Sequence, residues 1–372
     1  MIVIFLLILL VFMSIIFGAH WLVYHSVVKF FNLTDCNLRT FLAIIIFLLS
    51  LSFVISSFLS HWWANDFTRI FYLSSNIWLA FLNNLVLILI LIWIIKWGTR
   101  FFDFNLNFRF LTILLALIAM GLTIWGVRNA FNPKIKNISV KIKNLPTSWQ
   151  NKTAVQISDV HLGNIYNSDF LEEVVNKINT IDPEIIFITG DLFDGMDYRE
   201  ITSSTDSLNN LKARDIFMVT GNHENYLGIE RTKQALENNP KIKILENELV
   251  DIDGLKVIGL NYPEREGLGF SFSEIFKKLK DYDSKDANIL LYHEPKNIQE
   301  AKKLGVKLQL SGHTHKGQSF PFNFITYWMY HGYDYGLFTL EDYNLYTTNG
   351  VGTWGPPMRT GNHSEIVAIK FE

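Results

Sequence analysis

Cysteine is almost absent from this sequence: Cys36 stands alone among 372 residues. An intrachain disulfide framework and a cysteine-based zinc site are thereby excluded. Charge is scarce as well, at 18% Asp, Glu, Lys and Arg against about 25% in an average soluble protein. The shortage is uneven along the chain. No glutamate precedes Glu172, and residues 1–127 hold only six bases (Lys29, Arg39, Arg69, Lys96, Arg100, Arg109) and three acids (Asp35, Asp66, Asp103). The other 27 bases and 32 acids lie in residues 128–372, which read as an ordinary, mildly acidic soluble domain. Internal repeats and low-complexity linkers are missing too. What is abundant is apolar: 49% hydrophobic residues, 30 phenylalanines and 10 tryptophans, with a mean hydropathy of +0.19. This composition excludes a disordered, collagen-like or nucleic-acid-coating chain, and no nucleic-acid partner is expected.

A bilayer core about 30 Å thick needs roughly 20 apolar residues in a helix. Four stretches qualify: Ile2 to about Tyr24, Phe41 to Leu59, Ile70 to Ile95, and Phe110 to Val127. The first lacks the basic start and small-residue cleavage site of a signal peptide, and three spans follow it, so it reads as an anchor. Asn83 and Asn84 interrupt the third span, where a hydrogen bond to a neighbouring helix is expected rather than a transported ligand. Trp21, Trp62, Trp63, Trp93 and Trp97 fall near span ends, as an interfacial belt requires. Residues 1–130 are thus expected to form a four-helix, multi-pass transmembrane region in the cell membrane, with the lipid bilayer as partner. Residues 131–372 form a second domain. Lys29 and Arg39 after span one, with Lys96, Arg100 and Arg109 after span three, outnumber Arg69 between spans two and three. That bias puts the first and third loops in the cytoplasm and the C-terminal domain outside it. Arg128, Lys134, Lys136, Lys141 and Lys143 pull the other way, but they open a folded domain, where the rule is weak.

After Pro133 short β-branched runs alternate with helix-like segments. Ile135–Ile142, Thr153–Ile157, Glu184–Thr189, Asp215–Thr220, Leu255–Leu260, Ala287–Tyr292 and Val306–Leu310 read as strands, and Phe338–Thr348 and Glu365–Phe371 as later ones. Helices are expected at Asp169–Ile178, Ile201–Ala213, Ser273–Lys280 and Asn297–Leu304. Such alternation implies an α/β fold with mainly parallel, buried sheet. Functional groups in α/β sheets gather beyond the carboxyl ends of strands. There this sequence places Asp159-Val160-His161, Gly190-Asp191-Leu192-Phe193-Asp194, Gly221-Asn222-His223-Glu224, His293 and Gly312-His313-Thr314-His315.

Carboxylates and imidazoles together suit Mn, Fe or Zn. An Asp-x-His pair at a strand end lets both side chains approach one ion, and a carboxylate such as Asp191 can bridge two, the usual clamp for phosphoryl chemistry. Each motif alone is weak, because Gly-Asp and Gly-Asn are ordinary turn pairs. Five in order, each after a β run, point to a metal site.

Over residues 150–372 these blocks resemble the calcineurin-like metallophosphoesterases, and with the preceding spans they resemble that family's membrane-anchored branch. The branch is also similar to UDP-2,3-diacylglucosamine hydrolases of lipid A synthesis. The resemblance implies a four-layer α/β/β/α sandwich and a hydrolase with two divalent metal ions, manganese favoured over Fe and Zn. It implies that Asp159, His161 and His315 hold the first ion, that Asn222, His293 and His313 hold the second, and that Asp191 bridges them. His223 would protonate the leaving oxygen or stabilise the phosphoryl group, while a hydroxide between the ions attacks phosphorus in line. Asp194 and Glu224 would orient His or Asn side chains, or else be solvated turn carboxylates. Lys316 stands where the branch often has Gly, and Asn261 where Asp is frequent, which bears on substrate fit. Arg359 reads either as a bidentate grip on a substrate phosphate or as a surface arginine in a turn. The aromatic run Phe320–Tyr330 reads either as core or as a bilayer-facing rim for a lipid tail. His331 and His363 read as spare histidines. The function expected is hydrolysis of a phosphoester or pyrophosphate bond in a lipid-linked substrate. The alternatives are UDP-2,3-diacylglucosamine hydrolysis by a cytoplasmic site and a catalytically inactive metal-binding scaffold or sensor. A transporter is disfavoured, because the spans lack buried charge.

Overall fold

Four long helices begin the chain, α1 (Ile2–Phe30), α2 (Cys36–Trp62), α3 (Asp66–Gly98) and α4 (Phe108–Ala130). They belong to a computed structural model that describes residues 2–63, 65–101, 106–194, 205–263 and 270–372. Polar residues outside the apolar stretches start two of the helices. Asp35 accepts the Leu38 N–H, and Asn65 forms a reciprocal capping box with Thr68. All four are long and apolar enough to cross a membrane. Val23, Phe30, Leu82, Leu85, Leu89 and Ile92 pack inward. Asn84 Nδ2 donates to Thr123 Oγ1 at 2.9 Å, the interhelical hydrogen bond expected from an amide in lipid. Trp93 also works between helices: its Nε1 donates to Ser26 Oγ at 2.9 Å.

The chain separates into two compact units, residues 1–127 and 128–372. The second unit is built on two six-stranded sheets. One contains β1 (Lys134–Val140), β2 (Thr153–Ile157), β3 (Ile185–Thr189), β4 (Asp215–Val219), β5 (Ile242–Ile244) and β12 (Glu365–Phe371), in the order β1-β12-β2-β3-β4-β5. The other contains β6 (Glu248–Ile252), β7 (Leu255–Gly259), β8 (Asn288–Leu291), β9 (Leu308–Ser311), β10 (Gly336–Leu340) and β11 (Tyr343–Thr347), in the order β10-β11-β9-β8-β7-β6. Strands β2 to β5 run parallel, as do β7, β8, β9 and β11, so each sheet has a common carboxyl edge. Alternate residues of both sheets meet in one core that includes Ala154, Phe187, Val219, Val257, Leu291 and Leu310. After β4 come two short helices, α6 (Asn222–Leu227) and α7 (Ile229–Ala235), and the outer face of the second sheet packs Ile258, Leu290 and Leu345 against Phe272 and Phe276 of α8 (Phe272–Phe276) and Ala301 of α9 (Ile298–Leu304). On the other side, α5 (Ser168–Asn179) buries Phe170, Leu171, Val174, Val175 and Ile178. The result is the expected α/β/β/α sandwich.

The differences in detail have local causes. The run Phe338–Thr348 is a hairpin, β10 to β11, turning at Glu341 in the left-handed region (φ +61°). Of the helix expected at Ile201–Ala213, residues 201–204 lie outside the described residues, and 206–210 form a 3-10 turn.

Candidate metal centre

Every expected ligand sits just past a carboxyl strand end, and the backbone there bends sharply. Asp159 (φ +54°), His161 (+53°), Asp191 (+52°), His313 (+69°) and His315 (+48°) all occupy the left-handed region. Such conformations cost a non-glycine residue about 1–3 kcal/mol each and cluster where side-chain aim matters more than backbone comfort. Two glycines permit close approach. A Cβ on Gly221 would lie 2.1 Å from Asp191 Oδ1, and one on Gly312 would lie 2.2 Å from Asp159 Oδ2.

The side chains converge in two groups, Asp159–His161–His315 and Asp191–His293–His313, with the ligand atoms of each within 4.8 Å of one another. His315 Nε2 is 3.1 Å from His161 Nε2 and 3.4 Å from Asp159 Oδ1. His293 Nε2 is 3.1 Å from both His313 Nδ1 and Asp191 Oδ2. The same Asp191 oxygen lies 3.9 Å from His161 Nε2, so one carboxylate faces both groups. Two imidazole nitrogens 3.1 Å apart cannot aim lone pairs at each other without a shared cation or proton. A first-row ion holding each nitrogen at about 2.0–2.1 Å fits that spacing. Asn222 Oδ1 is buried without a hydrogen-bond partner, in the loop whose next N–H, that of His223, donates to Asp191 Oδ1 at 2.9 Å, and such an oxygen suits a mixed O and N donor set. The residues present fit two divalent ions.

Electrostatics point the same way for two of the imidazoles, His313 and His315. Burial, then the neighbouring His293, pushes His313 down to about 3. Burial, with His161 and Arg359 nearby, holds His315 well below the usual histidine range. Both imidazoles are therefore neutral, the form that binds a metal. Burial works against protonation of His293, yet the charge and hydrogen bond of Asp191 outweigh it and push His293 up to about 10. Burial likewise opposes ionisation of Asp191, but His293 and His161 hold that carboxylate well below its ordinary value. In short, Asp191 is the anion around which the imidazoles gather.

Supporting groups fix the rings. His293 Nδ1 donates to the Thr189 carbonyl at 2.7 Å, which leaves Nε2 turned to Asp191. His223 Nδ1 donates to the Asp194 carbonyl at 2.7 Å, and the Asp194 carboxylate lies 3.5 Å from His161 Nδ1 and 3.6 Å from His223 Nδ1. Asp194 thus holds the His223 ring through its carbonyl, while its carboxylate neighbours both rings without a hydrogen bond to His161 Nδ1.

Glu224 differs from expectation. Its carboxylate accepts the backbone N–H groups of Gly221 (2.7 Å), Asp191 (2.8 Å) and Phe193 (3.1 Å), so it ties two loops together and orients no His or Asn side chain. Burial and the adjacent Asp191 charge push it up to about 7 against those three donors. Arg359 is corrected outright. It is fully buried, and its guanidinium donates to the carbonyls of His315, Asn349 and Gly352 and to Asn362 Oδ1. It braces the backbone behind His315 and is neither a surface residue nor a phosphate grip.

Two residues were not singled out in the sequence. Glu294 is buried with Oε1 3.3 Å from His313 Nε2 and 2.8 Å from Lys296 Nζ, so a carboxylate backs that ring. Its only signal is its position directly after His293. Tyr262 places its ring 5.9 Å from that of His293 and 6.3 Å from that of His313. Beside Asn222 opens a cavity of about 690 Å³, walled by Tyr226, Leu227, Ile229, Arg231 and Tyr262.

The family model for calcineurin-like phosphoesterases matches residues 152–317, the stretch that holds all five strand-end clusters. An uncharacterized metallophosphoesterase of Campylobacter jejuni is 32% identical over 279 residues, 74% of this chain and 73% of that protein. The chain belongs to the calcineurin-like metallophosphoesterase family. This metallophosphoesterase is also 31% identical to a Danio rerio transmembrane protein with metallophosphoesterase domain, over 69% of the chain and 62% of that protein. An uncharacterized metallophosphoesterase of Aquifex aeolicus is 31% identical over 64% of the chain and 92% of its own length.

Proposed function

We propose that this metallophosphoesterase hydrolyses a phosphoester or pyrophosphate bond in a lipid-linked substrate, with its active site outside the cytoplasm. The observation that carries the reading is the Asp191 carboxylate, which faces both donor groups at once. In it, Asp159, His161 and His315 would hold one divalent ion and Asn222, His293 and His313 a second, with the Asp191 carboxylate facing both groups. Two such ions, when bound, supply Lewis acidity that polarises the phosphoryl group and water. The chain's own part is to aim and to move a proton. The Asp194 carbonyl engages His223 Nδ1, so Nε2 is the atom that faces the leaving oxygen. Burial, then the charge of His161, holds free His223 below its ordinary value, and a phosphate anion beside it would favour the protonated form. The cavity beside Asn222 is of a size that takes the rest of a substrate larger than a simple phosphate. Four apolar helices keep the site at a membrane, which raises the effective concentration of lipid-borne substrates.

The test is purified full-length protein with Mn²⁺ on lipid phosphates, nucleotide-lipid pyrophosphates and soluble phosphodiesters. Faster turnover of a lipid-linked member supports the reading. Preference for a soluble diester removes the lipid, and no hydrolysis at all favours a metal-binding scaffold. The second reading is a cytoplasmic UDP-2,3-diacylglucosamine hydrolase, which the basic run Arg128, Lys134, Lys136, Lys141 and Lys143 favours.

A further inference from the structure

The helix α10 (Phe322–Met329) buries none of its residues fully. Phe324 is 62% exposed, Tyr327 61%, Trp328 79% and Met329 58%, with Phe320 just before them at 51%. From Ser319 to Tyr333 the chain holds no Asp, Glu, Lys or Arg. Trp354, 61% exposed, joins the same surface, because its backbone N–H and carbonyl are both hydrogen-bonded to the Gln318 side chain. Aromatic side chains bury about 150–250 Å² each, so the patch exceeds the few hundred Å² that soluble surfaces carry by chance.

The helix is fixed to the metal site. It lies so close to Gly317 that a Cβ there would be 2.5 Å from the Phe322 carbonyl carbon. Thr326 Oγ1 donates to Asp334 Oδ2, and the Asp334 carbonyl accepts from Thr314 Oγ1 at 2.6 Å, between His313 and His315. The Tyr330 ring lies 6.2 Å from that of His313. The patch therefore moves with the ligand-bearing loop.

What covers it follows from the rest of the chain. α4 ends at Ala130 and β1 begins at Lys134, so the tether between an apolar helix long enough to span a membrane and this domain is very short. Trp and Tyr favour the lipid interface, and a short apolar helix can lie in its plane. We propose that α10, with Phe320 and Trp354, dips into the bilayer interface and holds the mouth of the metal site against lipid. This rests on the membrane-anchored reading above.

The test uses full-length protein with Cys36→Ser, and single Phe324→Cys or Trp328→Cys variants carrying an environment-sensitive fluorophore. Both positions are solvent-exposed, so neither change removes a core contact. Lys212→Cys, exposed and just before β4 at the strand ends opposite the site, is the reference. Each is reconstituted in phosphatidylcholine–phosphatidylglycerol vesicles. Labels at 324 and 328 should be quenched by spin-labelled lipid at least about threefold more than the label at 212, and shielded from iodide, as interfacial burial requires. Labels at both sites that behave like that at 212 overturn the proposal. Self-quenching that grows with protein density also overturns it, since a second copy then covers the patch. The readout needs no hydrolysis. Docking without lipid turnover overturns the substrate reading alone, and lipid turnover with both labels in water overturns the docking alone.

Discussion

Asp191 has no neighbour that could take its place: it is the carboxylate that faces both His161 and His293, and its other oxygen accepts the His223 N–H at 2.9 Å. Asp191→Ala should abolish hydrolysis at saturating Mn²⁺ and lower bound metal, measured by turnover and elemental analysis of folded protein. Activity within about tenfold of wild type, far above the loss expected when a metal clamp is broken, would remove Asp191 from the centre. His223 makes the contrasting case. His223→Ala should keep its metal and lose kcat by a factor on the order of 10²–10⁴, as expected for a proton-transfer group. The defect should shrink with a nitrophenyl ester, whose leaving group needs no proton. Metal loss matching that of Asp191→Ala would make His223 a ligand instead. At this scale the candidate ligands were legible because each follows a strand that an apolar run declares. Arg359 was not, since nothing in a sequence reveals that a guanidinium's donors are engaged by the carbonyls of His315, Asn349 and Gly352. Glu294 was hidden for the same reason, because its partner His313 comes from another strand.

Between residue and fold stands the brace made by Glu224, which gathers three backbone N–H groups from the loops after β3 and β4. Its removal leaves buried donors unpaired at about 1–3 kcal/mol each. Glu224→Ala should therefore lower the melting temperature of the full-length protein in detergent by several degrees, at about 2–4 °C per kcal/mol for a domain of this size. Glu224→Gln keeps one acceptor oxygen and should lose less. Equal, negligible shifts for both variants would show that the loops hold without it. Elements with long, uniform patterns were legible: β2 and β12 fall where their β-branched runs place them, and α5 where its apolar spacing does. The three-residue β5 was not, because so short a run carries no period. In α10, aromatics on every side left core and surface equally open until its neighbours were known.

For the molecule as a whole, the division between a lipid-like third and a polar two-thirds is written in the distribution of charge, and the boundary between the two compact units falls in the chain between Val127 and Arg128. Which side of a membrane the metal centre faces is a separate question, and the lone cysteine answers it. Cys36 is exposed and opens α2, directly after the loop that Lys29 and Arg39 flank. In the proposed orientation, which rests on five bases in the first and third loops against one in the second, that loop is cytoplasmic. A membrane-impermeant maleimide should therefore leave Cys36 unmodified in intact cells or spheroplasts and label it after permeabilisation. Labelling after permeabilisation is essential, because it separates a cytoplasmic thiol from one shielded by lipid. With four spans between the N-terminus and the domain, parity then puts Asp191 and its neighbours outside, where a cytoplasmic nucleotide-lipid cannot reach them. Reaction of Cys36 in unbroken cells reverses every step: loop one is outside, the metal centre faces the cytoplasm, and the basic run from Arg128 to Lys143 lies where positive loops belong. The external reading then falls, and the UDP-2,3-diacylglucosamine substrate leads.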